Sequence, residues 1–407
     1  MFQVFMSRVR EVVASAGRFI RGQRPGRPSK RPPTDAGAYV SRILSDAILL
    51  NEIPSPTEHE SSRTEFILQR LAELGYPSSQ RDDLGNVTAV IPAHEATDEH
   101  VLLFAGLRCD DYSPLESVAR LTPDRLEGRG IAESSVPSAS LLVLAEYLAR
   151  NEIQYERNIL FLFTAHDPAD MDSPALDAFL ERWKGKVCCA AFLRGLGLGS
   201  VGDRPLGTCK ISVGIRTEEH DLIGGAHAPS AISALADVAS RLGGIHWDDE
   251  NSTFLNIARI EAGVGFGWFA STGIMEIEVF SPDAAALEVA KNAVVATIKG
   301  ATPESGAVVD VSLKAYLPPG NQGLNSALSG IVTNIHEKLR IKSRPALFPT
   351  AAALLTSRGI PAVTLGMATG RKSGGEEYIE ISTLEPGFRQ ILRFTEACAA
   401  RRREGTA

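Results

Sequence analysis

This sequence predicts an α/β protein, a mainly parallel sheet covered by helices, with an inserted α+β domain. Apolar runs of strand length alternate with amphipathic runs of helix length, the order that lays helices over a parallel sheet. Two of the apolar runs, HVLLFAG (100–106) and NILFLFT (158–164), are apolar nearly throughout, as strands covered on both faces are. The texture changes near Cys209 and changes back near Lys314, marking an insertion between two halves of one larger domain. The expected divisions are 1–36 as a basic amphipathic extension and linker, 37–208 with 315–407 as the α/β domain, and 209–314 as the insertion. A chain of 407 residues has room for both cores.

The elements follow in order. Phe2, Phe5, Val9, Val12, Ala16, Phe19 and Ile20 recur at three- and four-residue steps, one face of a helix. Arg8, Arg10, Arg18 and Arg21 fall elsewhere on it, and Arg24, Arg27, Lys30 and Arg31 follow in a Pro- and Gly-rich linker. This stretch reads either as an extension beside the body of the protein or as a weak membrane-surface contact through residues 2–21. It lacks a signal-peptide core, and no run approaches about 20 apolar residues. Residues 38–53 and 60–75 have helical periodicity, broken between them by PSPT and ended by Gly75 before Pro77. NVTAVI (86–91) and HVLLFAG are strands, SASLLVLAEYLAR (138–150) a helix, NILFLFT a strand, SPALDAFLERW (173–183) a helix and VCCAAFL (187–193) a strand.

Within the insertion, CKISVGI (209–215), STFLNIARIE (252–261), GIMEIEVF (273–280) and AVVDVSL (307–313) read as strands. PSAISALADVASRL (229–242) and DAAALEVAKNAVVATI (283–298) read as helices, so two helices cover one face of a mostly antiparallel sheet. Ile232, Leu235, Ala239 and Leu242 form a stripe that serves either core packing or a partner. The α/β pattern resumes with helices at 324–339 and 350–358, strands PAVTLG (361–366) and EYIEI (377–381), and a last helix ending near Arg401.

A net charge of −7 excludes a general nucleic-acid binder, which carries a basic balance or face. The five cysteines, Cys109, Cys188, Cys189, Cys209 and Cys398, form neither a disulfide framework nor a CxxC zinc knuckle. Cys188 and Cys189 sit in an apolar run and read as buried strand residues, and a reducing, cytoplasmic compartment is expected.

Ligands of open α/β sheets bind at the carboxyl ends of the strands. The loops there read GLRCDDYSP, GRGIAESS, AHDPADMD, RGLGLG and GMATGRKSGGEE, and they carry carboxylates at Asp110, Asp111, Glu133, Asp167, Asp170, Glu376 and Glu377. A series of short motifs accompanies them: IPSPTEHESS before a helix ending LAELG, RDDLGNVTAVIP, VLLFAG, the GRG of Gly128–Gly130, FTAHDP, PSAISAL, FLNIARIEAG, GIPAVTLG and EEYIEI. In this order, around an insertion in this place, the motifs resemble the family of zinc-dependent aminoacylases, acetylornithine deacetylases, carboxypeptidases and di- or tripeptidases. The resemblance runs from about Tyr39 to Cys398.

The resemblance implies a zinc-exopeptidase-like fold with a lid and dimerisation insertion, and a pair of zinc ions about 3.5–4 Å apart that activates water and polarises the scissile amide. Zinc takes imidazole and carboxylate ligands at about 2.0–2.2 Å. The family's His-x-Asp falls on Leu107-Arg108-Cys109, or on Arg108-Cys109-Asp110 with the register moved by one; neither holds a histidine. The metal-bridging Asp falls on Glu133, the Glu-Glu pair on Asp167 and Pro168, the next carboxylate on Leu193 or Arg194, and the last histidine on Ser373. A substrate-reaching histidine of the insertion looks like His220, with His227 as a rival, and Asn256 matches a family asparagine. A later asparagine falls near Gly267, and the arginine expected near Phe280 is missing.

Cations stand at or beside the vacated positions: Arg108, Arg194, Arg371 and Lys372. Fixed cations repel a divalent ion and pair with leftover carboxylates. The reading is a catalytically degenerate homologue without zinc or another cofactor, binding a peptide, an acyl-amino acid or a protein. Its ligand-binding set is Arg108, Asp110, Glu133, Asp167, Arg194, Asn256, Lys372 and Glu377, with Glu133, Asp167 and His220 as vestigial catalytic positions. The alternative is an active peptidase or deacylase whose altered site holds one or two divalent ions. A Cys109 nucleophile activated by His166 is a third reading. The resemblance further implies a homodimer, or a mixed dimer with an active relative.

Overall fold

The computed structural model describes residues 36–55, 59–109, 119–165, 173–218, 230–245, 252–301, 307–348, 350–373 and 375–400. The extension at 1–35 lies outside the described residues. Helix α1 (Ala36–Glu52) and helix α2 (Ser61–Glu73) come first. The buried face of α2 holds Arg63, Thr64, Ile67 and Leu71, a helical spacing in which an arginine takes a core position. Strands β1 (Gln80–Arg81), β2 (Val87–Ile91) and β3 (Glu99–Gly106) follow, β3 buried along almost its whole length. Short strands β4 (Arg120–Leu121) and β5 (Arg125–Glu127) lead to a π-helical turn at Ile131–Ser135, which feeds helix α3 (Val136–Arg150). Buried residues surround nearly all of α3, as its mostly apolar sequence dictates, and they include Ser138, Ser140 and Glu146. Strand β6 (Asn158–Thr164), helix α4 (Pro174–Arg182), strand β7 (Lys186–Leu196) and strand β8 (Ser200–Pro205) complete this half.

Next come strand β9 (Gly207–Arg216), helix α5 (Ala231–Gly243), strands β10 (Phe254–Ala262) and β11 (Thr272–Ser281), helix α6 (Ala284–Gly300) and strand β12 (Val308–Leu317). The four strands form an antiparallel sheet in the order β10-β11-β9-β12, with α5 and α6 packed on β9 and β11. Cys209, Ile211, Val213 and Ile215 of β9 meet Met275, Ile277 and Val279 of β11 in the core beneath the helices. The buried face of α5 is Ala231, Ala234, Leu235, Val238 and Leu242, whereas Ile232 is 52% exposed. The stripe read from the sequence is divided: Leu235 and Leu242 pack inward, Ala239 is partly buried against the same core, and Ile232 stands off that face.

Helix α7 (Ser326–Leu339), strand β13 (Arg344–Phe348), helix α8 (Ala352–Ser357), strands β14 (Ala362–Ala368), β15 (Gly370–Ser373) and β16 (Glu376–Glu380), and helix α9 (Leu384–Ala399) finish the chain. The main sheet has the order β1-β2-β6-β3-β7-β14-β8-β13. Its centre, β6-β3-β7-β14, is parallel, while β1/β2, β2/β6 and β14/β8 pair antiparallel. A small sheet, β15-β16-β5-β4, lies in the same unit.

The chain divides into two compact units. One holds the described residues up to Asp203, Gly323–Ala346, and those from Ile360 onward; the other holds Arg204–Gln322 and Leu347–Gly359. The second unit exceeds the expected 209–314 because β9 begins at Gly207 and β12 runs to Leu317. It also takes in α8, whose Thr356 hydroxyl donates to the Pro319 carbonyl at 3.1 Å. The described residues include no helix long and apolar enough to cross a membrane. Cys189 is buried as expected, while Cys188 is half-buried.

Candidate functional site

The GRG motif ends at Gly130, with φ +76°, where β-carbon-bearing residues are strained. Space also requires glycine: a Cβ there would lie 1.7 Å from the Cys109 sulfur. The π-helical turn that follows turns several backbone N–H groups toward one point, and the Glu377 carboxylate occupies it. Gly130 N donates to Oε2 at 2.8 Å, and Ala132 N and Glu133 N donate to Oε1 at 2.7 and 3.1 Å. Strand β16 delivers Glu377 by pairing with β5, and the Glu377 carbonyl accepts from Gly128 N at 3.0 Å. The side chain is buried with both oxygens on backbone donors, an arrangement that fixes the turn in place.

Glu133 projects from the same turn. Lys372 Nζ of β15 donates to its Oε2 at 2.8 Å, with the lysine side chain 42% exposed and the glutamate 19% exposed. Arg194 of β7 is also close enough for the Glu133 charge to act on it. Burial pulls the Arg194 guanidinium below its usual pKa, and the Glu133 charge opposes that shift. Gly195 permits this proximity, since a Cβ there would sit 2.1 Å from the Ala132 carbonyl oxygen. Strand β7 can therefore run directly against the turn that carries Glu133. Beside this pair, Arg371 approaches Glu376 at 3.5 Å, and the Arg125 guanidinium lies 4.1 Å from the centre of the Tyr378 ring.

The loop after β3 is held from below. Cys109 N donates to the Ser55 carbonyl at 2.9 Å, and Ser55 Oγ donates to the Leu107 carbonyl at 3.0 Å. Arg63, 1% exposed, donates from Nε to the Ile53 carbonyl at 2.8 Å and from Nη1 to the Leu107 carbonyl and Ser134 Oγ at 2.9 and 2.8 Å. Its Nη2 has no hydrogen-bond partner among the described residues. Asn51 Nδ2 adds a 2.6 Å bond to the Arg129 carbonyl. Sequence reasoning missed Arg63, yet the signal was present: it stands four residues before Ile67 and eight before Leu71, on the apolar face of α2.

Of the residues expected in the site, Glu133, Arg194, Lys372 and Glu377 come together around the π-helical turn. Arg108 lies half-buried in the loop after β3. Asn256 is exposed on β10 in the second unit, its Nδ2 donating to Glu278 Oε2 at 2.9 Å. Asp110, Asp167 and His220, with His166, Pro168 and His227, lie outside the described residues.

These residues can be tested against a dinuclear zinc centre. Leu107 is 0% exposed and apolar, Cys109 directs its thiol toward the Arg129 carbonyl at 3.9 Å, and Glu133 already carries an ammonium. Arg194 and Ser373 supply a cation and a hydroxyl where a carboxylate and an imidazole would be needed. No group of three or more His, Cys, Asp or Glu side chains suited to a metal occurs among the described residues. Among the described residues, that donor set does not match the imidazole and carboxylate ligands of a pair of zinc ions.

The fold is that of the dinuclear metallopeptidases of the M20 family. Among solved structures, a tripeptidase from Staphylococcus aureus aligns with 16% identity and a TM-score of 0.72 over 88% of this chain and 98% of that one. The dipeptidase Dug1p from Saccharomyces cerevisiae aligns with 12% identity and a TM-score of 0.70 over 89% and 98%. A dinuclear metal-binding M20 peptidase from Bacillus subtilis aligns with 16% identity and a TM-score of 0.61 over 89% and 99%. No protein-family model and no curated protein matches the chain by sequence.

Proposed function

We propose that this chain is a catalytically degenerate relative of the zinc peptidases and amidohydrolases whose fold it has, one that binds no zinc and acts as a binding module. The observation that carries the reading is the 2.8 Å contact from Lys372 Nζ to Glu133 Oε2. By the sequence resemblance Glu133 is the metal-bridging position, and an ammonium there supplies charge that a metal would otherwise supply. Leu107 and Ser373, in place of imidazole ligands, support the same conclusion. With Arg194 nearby, the site suits a carboxylate-bearing ligand: a peptide, an acyl-amino acid or a chain terminus of a protein. In this reading Glu377 is a structural anchor rather than a ligand contact, because its oxygens serve the backbone. Five free thiols support a reducing, cytoplasmic setting.

Edge strand β10, with Phe254 44% and Ile260 48% exposed, supports a second copy or an active relative as a partner. Light scattering of the purified chain, alone and mixed with such a relative, tests it. Metal content after incubation with zinc, manganese or cobalt and desalting tests the main proposal. Less than about 0.1 ion per chain is expected, against about two for an intact dinuclear site. One or more tightly held ions per chain would overturn the proposal in favour of an active hydrolase with an altered site.

A further inference from the structure

Three of the five cysteines belong to the start of strand β7 and the end of helix α9, both in the first unit. His100 of β3 lies opposite Val187 of β7, and Val101 lies opposite Cys189, so β3 has no residue opposite Cys188. Cys188 is thus the extra residue of a β-bulge, a feature that bends a strand and re-aims its side chains. Beyond the bulge, Cys189, Ala191 and Leu193 alternate onto the face of β7 that enters the main core. Ile391, Phe394 and Cys398 enter the same core from one face of α9.

Cys189 and Cys398 meet there thiol to thiol, the Cys398 S–H donating to the Cys189 sulfur. They are 7% and 3% exposed, whereas Cys188 is half-buried. Arg157 fixes the end of α9 beside them: its backbone N–H donates to the Ala399 carbonyl at 3.1 Å and its Nη1 to the Cys398 carbonyl at 2.7 Å. Glu99 in turn holds the guanidinium, accepting from Nε at 2.9 Å. Both partners are therefore positioned by backbone, β7 through its ladder and α9 through Arg157. Thiols in hydrogen-bond contact are already near the approach that a disulfide requires. Their surroundings give them different parts. The bond from Cys398 draws Cys189 below its usual pKa, burial opposes that shift, and the Arg157 charge reinforces it. The same bond, together with burial, pushes Cys398 up, so it keeps its proton.

We propose that Cys189 and Cys398 are a redox modification site, a thiol pair that hydrogen peroxide converts to a reversible disulfide tying the end of α9 to β7. The Cys189 thiolate attacks one peroxide oxygen, the O–O bond breaks, and hydroxide leaves with the former Cys189 proton as water. The Cys398 sulfur then attacks the resulting sulfenic acid. The S–O bond breaks, the S–S bond forms, and a second hydroxide leaves with the Cys398 proton as water. Two thiols give up two electrons, and one peroxide becomes two waters. A dithiol reductant reverses the change by exchange. Such a pair suits a reducing compartment, where protein disulfides are transient and oxidant-sensing. The proposal does not depend on the binding reading, because neither cysteine belongs to that site.

The experiment treats the reduced full chain with hydrogen peroxide, from equimolar to excess, then blocks free thiols in denaturant and digests with trypsin for mass spectrometry. The expected product is VCCAAFLR (187–194) linked to FTEACAAR (394–401), with Cys109, Cys188 and Cys209 still blocked as thiols and the link lost on adding dithiothreitol. It should form at least about tenfold faster in the native chain than in the urea-unfolded chain. Cys188→Ser should keep the link, and Cys189→Ser should lose it. Cys398→Ser removes the second step, so Cys189 should then take up the sulfenic-acid reagent dimedone. Absence of the linked peptides at every peroxide ratio would overturn the proposal without recourse to any variant. So would a Cys188–Cys189 bridge inside one peptide, a link that persists in Cys189→Ser, or equal rates in the native and unfolded chains.

Discussion

Replacing Glu377 should unfasten the turn on which Glu133 is built. Its carboxylate accepts from three backbone N–H groups, at 2.8, 2.7 and 3.1 Å, and is 9% exposed. A hydrogen bond to a charged group contributes roughly 1.5–3 kcal/mol, and a donor stripped of its partner in the interior loses about 1–3 kcal/mol. The three bonds share one carboxylate and are not additive, because the turn can relax once one is lost. Glu377→Ala should therefore cost about 3–5 kcal/mol. Glu377→Gln keeps one acceptor oxygen but sets an amide N–H₂ against the remaining donor, and should cost about 1.5–3 kcal/mol. Urea unfolding followed by circular dichroism gives the measurement, with separate transitions fitted where the two units melt apart. The midpoint should fall with little change in slope. A loss below about 0.5 kcal/mol in the alanine variant, or a glutamine variant less stable than the alanine one, would refute the argument that the carboxylate holds the turn.

Other substitutions give contrasting outcomes. Gly130→Ala combines left-handed strain with a Cβ 1.7 Å from the Cys109 sulfur, so it should cost about 2–5 kcal/mol, and adding Cys109→Gly should recover only the steric part, by the same unfolding assay. Lys372→Ala should cost no more than about 1 kcal/mol, because the pair it breaks is partly exposed and solvent-screened; a larger loss in urea unfolding would make this contact structural. His336 is buried between Ser343 Oγ at 2.8 Å and Gln390 Oε1 at 2.5 Å, and burial lowers its pKa. The unfolded chain therefore takes up the proton first, so stability should hold above about pH 6.5 and decline as pH falls through the window below it. His336→Phe should flatten that decline in unfolding midpoints compared between pH 7.5 and pH 5.

Much of this architecture could be read from residues because each long element has a single strong period. The apolar runs at 100–106 and 158–164 could only be covered strands, and they became the parallel centre of the sheet. Short strands gave no such signal: β4 and β15 have two and four residues, too few for a period, and exist through pairing with β5 and β16. On α5 the apolar residues outnumber the buried face, so periodicity alone put Ile232 in one stripe with Leu235 and Leu242, while packing buries those two and leaves Ile232 exposed. In the site, motif order found Glu133 and the cations around it, including the lysine that reaches it. It could not tell that Glu377 turns inward, because a carboxylate beside a loop looks the same whether it meets ligand or backbone.

The contact between Lys372 and Glu133 also sets what kind of environment this pocket can respond to. A coordinated ion belongs to the solution as much as to the protein: chelators withdraw it, protons displace it, and scarcity empties the site. An ammonium on strand β15 is synthesised with the chain, present once per molecule, and cannot diffuse away. On the proposed reading, the counter-charge on Glu133 is therefore indifferent to metal supply. It answers instead to salt, which weakens a half-exposed pair as ionic strength rises.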